Sequence, residues 1–124
     1  MRAVSAGKAG PGSEELAATL LEISSGAAAR DLGDPAFPEG PFRVLANAGI
    51  LSMPAPEQVG GSGRRASFGE EWRVLRAVAE ADGSVGRILD GHLNGVERVS
   101  VLVPEPLRSH KLERIAAGEL LLGV

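Results

Sequence analysis

Two proline pairs, Pro54 with Pro56 and Pro104 with Pro106, do most to limit what this chain can fold into. Each proline removes a backbone donor and pushes its predecessor away from helical geometry, so neither pair fits inside a helix. Around the pairs, apolar residues recur every three or four positions, the period of a helix with one buried face. Leu16, Leu20, Ile23 and Ala27 follow Ser13, a capping residue type, and Glu14 and Glu15 sit where the helix dipole favours negative charge. Gly26 weakens this helix and residues 31–38 end it. A second helix starts at Pro38 or Pro41, carries Phe42, Leu45 and Ala46 on one face, and closes at Gly49, a residue type suited to positive φ. Ser67-Phe68-Gly69-Glu70 has capping-box spacing and opens a third helix. Its stripe is Phe68, Trp72, Leu75 and Ala79, which places Trp72 in the core. Asp82-Gly83-Ser84 breaks that helix, and Asp82 caps a fourth, whose stripe is Val85, Leu89, His92, Val96, Val99 and Val103. A fifth, about Leu107 to Ala117, carries Leu107, Leu112 and Ile115. Residues 119–124, ELLLGV, read as a first strand that has no partner in the chain. The expected fold is therefore all-α. A small bundle of about five helices spans residues 13–118, after a flexible N-terminus at 1–12 and before the start of a missing β-domain at 119–124.

Charge and composition exclude several function classes. Residues 1–40 hold three basic and six acidic groups, and residues 41–124 hold ten of each. Arginines interleaved with carboxylates in this way make no nucleic-acid footprint. Without cysteine there are neither disulfides nor thiolate metal sites. His92 and His110 are the only histidines and belong to no H-E-x-x-H, so no metal site is expected. No secretory h-region opens the chain and no apolar run is long enough to span a membrane, which leaves the cytoplasm as the default. Aromatic content of 3% means an aliphatic core.

Gly61-Ser62-Gly63-Arg64-Arg65-Ala66 spells a dinucleotide fingerprint, but two prolines precede it and the helix begins only after it. A phosphate cradle needs a strand before the glycines and a helix opening on them. A tight turn with at least one of Gly60, Gly61 and Gly63 at positive φ is the expected reading. Arg64 and Arg65 are assigned to a solvated loop. Gly86, Gly91 and Gly95 each cost about 1 kcal/mol against alanine in a helix, so a neighbouring helix or a substrate chain must approach that backbone closely. His92 interrupts the apolar stripe, either as a hydrogen-bonded core residue or as a group facing a cavity.

Several short motifs stand in a particular order: Phe37-Pro38-Glu39, then Ala48-Gly49-Ile50-Leu51, then Pro56-Glu57-Gln58-Val59-Gly60-Gly61-Ser62-Gly63. Ala79-Glu80-Ala81-Asp82-Gly83-Ser84 and Leu112 to Glu119 complete the series. Together, from about residue 13 onward, they resemble the N-terminal helical domain of the acyl-CoA dehydrogenase superfamily. Val59 departs from the aromatic residue usual there, and Arg76-Ala77 from a common glutamate. The resemblance implies a complete enzyme that uses FAD to oxidise an acyl-CoA or related thioester across its α,β carbons, with the base and the flavin-binding domain beyond this chain. No catalytic residue is thus expected here, nor FAD held by this chain alone. The fourth helix would line the acyl pocket through Val85, Gly86, Leu89, Asp90 and His92. Its uncovered apolar face would promote self-association. A flavin-dependent monooxygenase of the same superfamily, with His92 near the flavin, and a stand-alone helical interaction module are the alternatives.

Overall fold

A computed structural model of the chain describes residues 12–33, 36–59, 61 and 68–123. Six helices follow in order: α1 (Ser13–Ser24), α2 (Ala27–Asp31), α3 (Glu39–Asn47), α4 (Phe68–Ala81), α5 (Gly83–Leu102) and α6 (Leu107–Ala116), with a 3-10 turn at Glu57–Val59. The proline pairs fall between helices as expected. The expected first helix is two, because the chain turns at Ser25 and Gly26. Arg30 folds back there and donates from Nη2 to the Ile23 carbonyl at 2.7 Å. A Cβ on Gly26 would meet Arg30 Nη1 at 2.9 Å, so glycine leaves room for that return. The cap of α1 is Gly12, not Ser13, which is already the first helical residue. Gly49 takes φ +79° after α3, the left-handed position read from the sequence. The proposed capping box lies on Ser67, outside the described residues.

Packing forms two apolar centres. The larger joins Ile23 of α1, Phe42 and Leu45 of α3, the turn at Ile50 to Met53, Val74 and Val78 of α4, and Val85 and Leu89 of α5. The smaller gathers Ala55, Val96, Leu112 and Ile115, with Leu120 and Leu122 against it. Residues 119–123 leave α6 and pass over α5, and among the described residues they pair with no strand.

The stripe assigned to α4 needs correction. Trp72 is 58% exposed, and the buried face is Val74 with Val78. Val74 and Val78 pack with Ile23 of α1, Leu45 of α3 and the turn at Ile50 to Met53, whereas the assigned stripe faces α5 and is covered only at its Ala79 end. A Cβ on Gly86 would sit 2.6 Å from Ala79 Cα, so the two backbones nearly touch at that level. Two turns further from the α4–α5 link a cleft of about 190 Å³ opens between the helices, and Trp72 lines its side. Leu107 is likewise half exposed instead of packed.

Candidate functional site

Asp82 begins the site-bearing helix. Its carboxylate accepts from the Ser84 and Val85 backbone N–H groups at 2.9 and 3.2 Å, the helix cap expected from the sequence. It is also ion-paired with Arg30, and the two side chains are 0% and 14% exposed. One carboxylate thus fixes the start of α5 and ties it to α2.

Val85, Leu89 and His92 have no exposed surface, and Gly86 is covered by Ala79. The face expected to stand open, Val85, Leu89, His92 and Val96, is closed by this domain's own residues. Of the five residues assigned to a pocket, Asp90 alone faces solvent. The expensive glycines have protein neighbours: Ala79 lies over Gly86, and Leu122 lies over Gly95, 2.9 Å from where a Cβ would stand. Gly91 is buried.

His92 uses both ring nitrogens. Its Nδ1 accepts from the Leu122 N–H at 3.0 Å, and since a backbone N–H can only donate, the ring proton resides on Nε2. That Nε2–H donates to the Leu51 carbonyl at 2.8 Å. Burial pushes the imidazole's pKa below its ordinary 6.5, opposed in part by the Leu51 carbonyl. The structure places this residue as a hydrogen-bonded core histidine, with no nitrogen left for a ligand.

The outer side of α5 carries the accessible chemistry. Asp90, Leu93, Asn94 and Glu97 face Glu71, Trp72 and Leu75 across the cleft. Partial burial and the nearby Glu97 raise the Glu71 pKa above its usual value. The cleft therefore has an apolar floor, an exposed indole and a carboxylate rim. Sequence reading missed Trp72, Leu93 and Glu97 here. Their signal was faint, since each fits an ordinary helical pattern. Among the described residues, no group of three or more His, Asp or Glu side chains is arranged to hold a metal, and no helix is long and apolar enough to cross a membrane.

Of the glycine-rich stretch only Gly61 is described. Its φ is not positive; glycine is needed because a Cβ would come within 2.1 Å of the Ala55 carbonyl oxygen and 2.5 Å of that of Ser52. Gly60, Gly63, Arg64 and Arg65 lie outside the described residues. Compared with known families, residues 14–119 match the model described as acyl-CoA dehydrogenase, N-terminal domain. No curated protein and no solved structure matches the chain significantly.

Proposed function

The chain belongs to the acyl-CoA dehydrogenase N-terminal domain family, and from that premise we propose that it is the helical wall of a flavin-dependent acyl thioester oxidoreductase. The observation that carries the reading is the match over residues 14–119, which coincides with the six-helix body from α1 to the end of α6. Gly61 sits in a turn too tight for a side chain and the inner face of α5 is closed, so the reading takes no flavin contact from either. FAD and the catalytic base are accordingly assigned to other parts of the full-length polypeptide. This chain's part is to exclude water and bound the acyl chain. Val85, Gly86, Leu89 and His92 support that wall from inside by fixing α5, and Asp90 with Leu93 and Trp72 presents its outer surface. With both nitrogens of His92 engaged, the monooxygenase alternative draws no support from that residue.

The test is purification of the full-length polypeptide, followed by its flavin absorbance and the bleaching of that absorbance by acyl-CoA. The isolated 124-residue chain should be colourless, and the full-length polypeptide yellow and reducible. Narrowing the cleft with Leu93→Trp should shorten the acyl chain accepted while leaving the flavin bound. A full-length polypeptide that binds no flavin, or ignores acyl-CoA, would sink the reading.

A further inference from the structure

His92 joins two stretches that are far apart in sequence: the turn at Leu51 and the segment 119–123 that leaves α6. We propose that His92 is a pH-operated latch, whose neutral ring holds the exit segment against α5 and whose protonation releases that segment while the helices stay packed. The asymmetry of the two hydrogen bonds carries this. In the charged ring Nε2–H still donates to the Leu51 carbonyl, so that contact survives. Nδ1, however, would then bear a hydrogen facing the Leu122 N–H, and two donors cannot bond. The exit segment loses its partner and the turn does not.

What else holds the segment is modest. Glu119 N–H donates to the Arg114 carbonyl at 2.9 Å, at the segment's beginning. The Arg114–Glu119 ion pair, at 3.7 Å, is exposed on both sides and contributes little. Leu122 lies on Gly95, and Leu120, Leu121 and Leu122 are only partly buried. Charged groups on the surrounding elements are Glu57 beyond the turn, Glu70, Glu71, Arg73, Arg76 and Glu80 of α4, Arg87, Asp90, Glu97 and Arg98 of α5, Arg108, Lys111, Glu113 and Arg114 of α6, and Glu119 of the segment. The ring itself is lowered by burial and raised in part by the Leu51 carbonyl. Because the folded pKa is depressed, the latch is fully closed above about pH 6.5, the ordinary imidazole value, and opens as pH falls through the lowered folded value. The latch belongs to this chain's own fold and is the same whether or not the protein oxidises acyl thioesters.

Nitrogen-15 NMR of the 124-residue chain tests it. At pH 7.5 the ring shifts should report the Nε2–H tautomer, and the Leu122 amide should be protected from exchange. As His92 titrates, the Leu122 protection factor should fall about tenfold per pH unit below the folded pKa, while that of the Leu89 amide holds. His92→Asn, whose Oδ1 can replace Nδ1 as acceptor, should keep Leu122 protected across the same range. A Nδ1–H tautomer at pH 7.5, Leu122 protection unchanged while the ring titrates, or the same acid release in His92→Asn would each overturn the latch. Should the variant not fold, the tautomer and the coincidence of the two titrations in the unaltered chain still decide.

Discussion

Gly86 and Gly95 lie on one helix and cost the same in helix propensity, yet their surroundings separate them. At Gly86 an added Cβ meets Ala79 Cα and Cβ, both at 2.6 Å and fixed in α4. Overpacking of this kind costs about 1–3 kcal/mol, which outweighs the ~1 kcal/mol that alanine gains in a helix. Gly86→Ala should therefore lower stability in denaturant unfolding by roughly 1–2 kcal/mol. At Gly95 the added Cβ meets the Leu122 side chain, on a segment that two backbone hydrogen bonds hold. Gly95→Ala should leave the unfolding midpoint of the helices within about 0.5 kcal/mol of the parent while displacing the exit segment. Gly61→Ala is the severest of the three, because two backbone carbonyls, of Ala55 and Ser52, occupy the space. An unchanged midpoint for Gly61→Ala would show that the turn is packed otherwise. Glu71 behaves in the opposite sense. Its raised pKa means that the folded state favours the protonated carboxyl, an advantage present below its ordinary 4.5 and lost as pH rises through the folded value. Glu71→Gln should thus raise stability at neutral pH, by no more than about 0.5 kcal/mol after solvent screening, with no gain at pH 3.

Between elements, the joint that matters most is Asp82, where the end of α4, the cap of α5 and the Arg30 return from α2 converge. Loss of a helix cap alone costs about 1 kcal/mol, whereas breaking a buried ion pair costs about 3–5. Arg30 retains some solvent at 14% exposure, so Asp82→Ala should cost about 3 kcal/mol, near the low end for a broken pair. Asp82→Asn keeps an oxygen for the Ser84 and Val85 N–H groups but not the charge, and should cost clearly less. Equal losses for the two variants would mean that the pair, and not the cap, carries the joint. The same joint explains why the first helix divides. Glycine at 26 is permissive, but it is the long-range partner at Asp82 that gives Arg30 a reason to fold back.

At the scale of the whole molecule, two apolar centres share one long helix, α5, and His92 stands between the turn at Leu51 and the exit segment. Trp72 is the only tryptophan in the chain and is 58% exposed, so its emission should be that of a hydrated indole and readily quenched by acrylamide. In a full-length polypeptide that covers the α4–α5 cleft, that quenching should fall; persistence would show the cleft open. Much of this architecture was legible in the residues themselves. Prolines forbid helix locally, a short carboxylate caps the N–H groups that follow it, and a 3.6-residue period persists without any knowledge of neighbours, so the bounds of α3 to α6 and the Asp82 cap could be read directly. Which of two plausible stripes on α4 is buried could not be read, because Phe68–Trp72–Leu75 and Val74–Val78 are equally helical in spacing. The packing of α1, α3 and the turn at Ile50 to Met53 against Val74 and Val78 chose between them. Nor could the sequence say that Val85, Gly86, Leu89 and His92 would be enclosed while Asp90 remained outside. That depends on what lies across each face of α5, and only tertiary packing brings Ala79, Leu51 and Leu122 there.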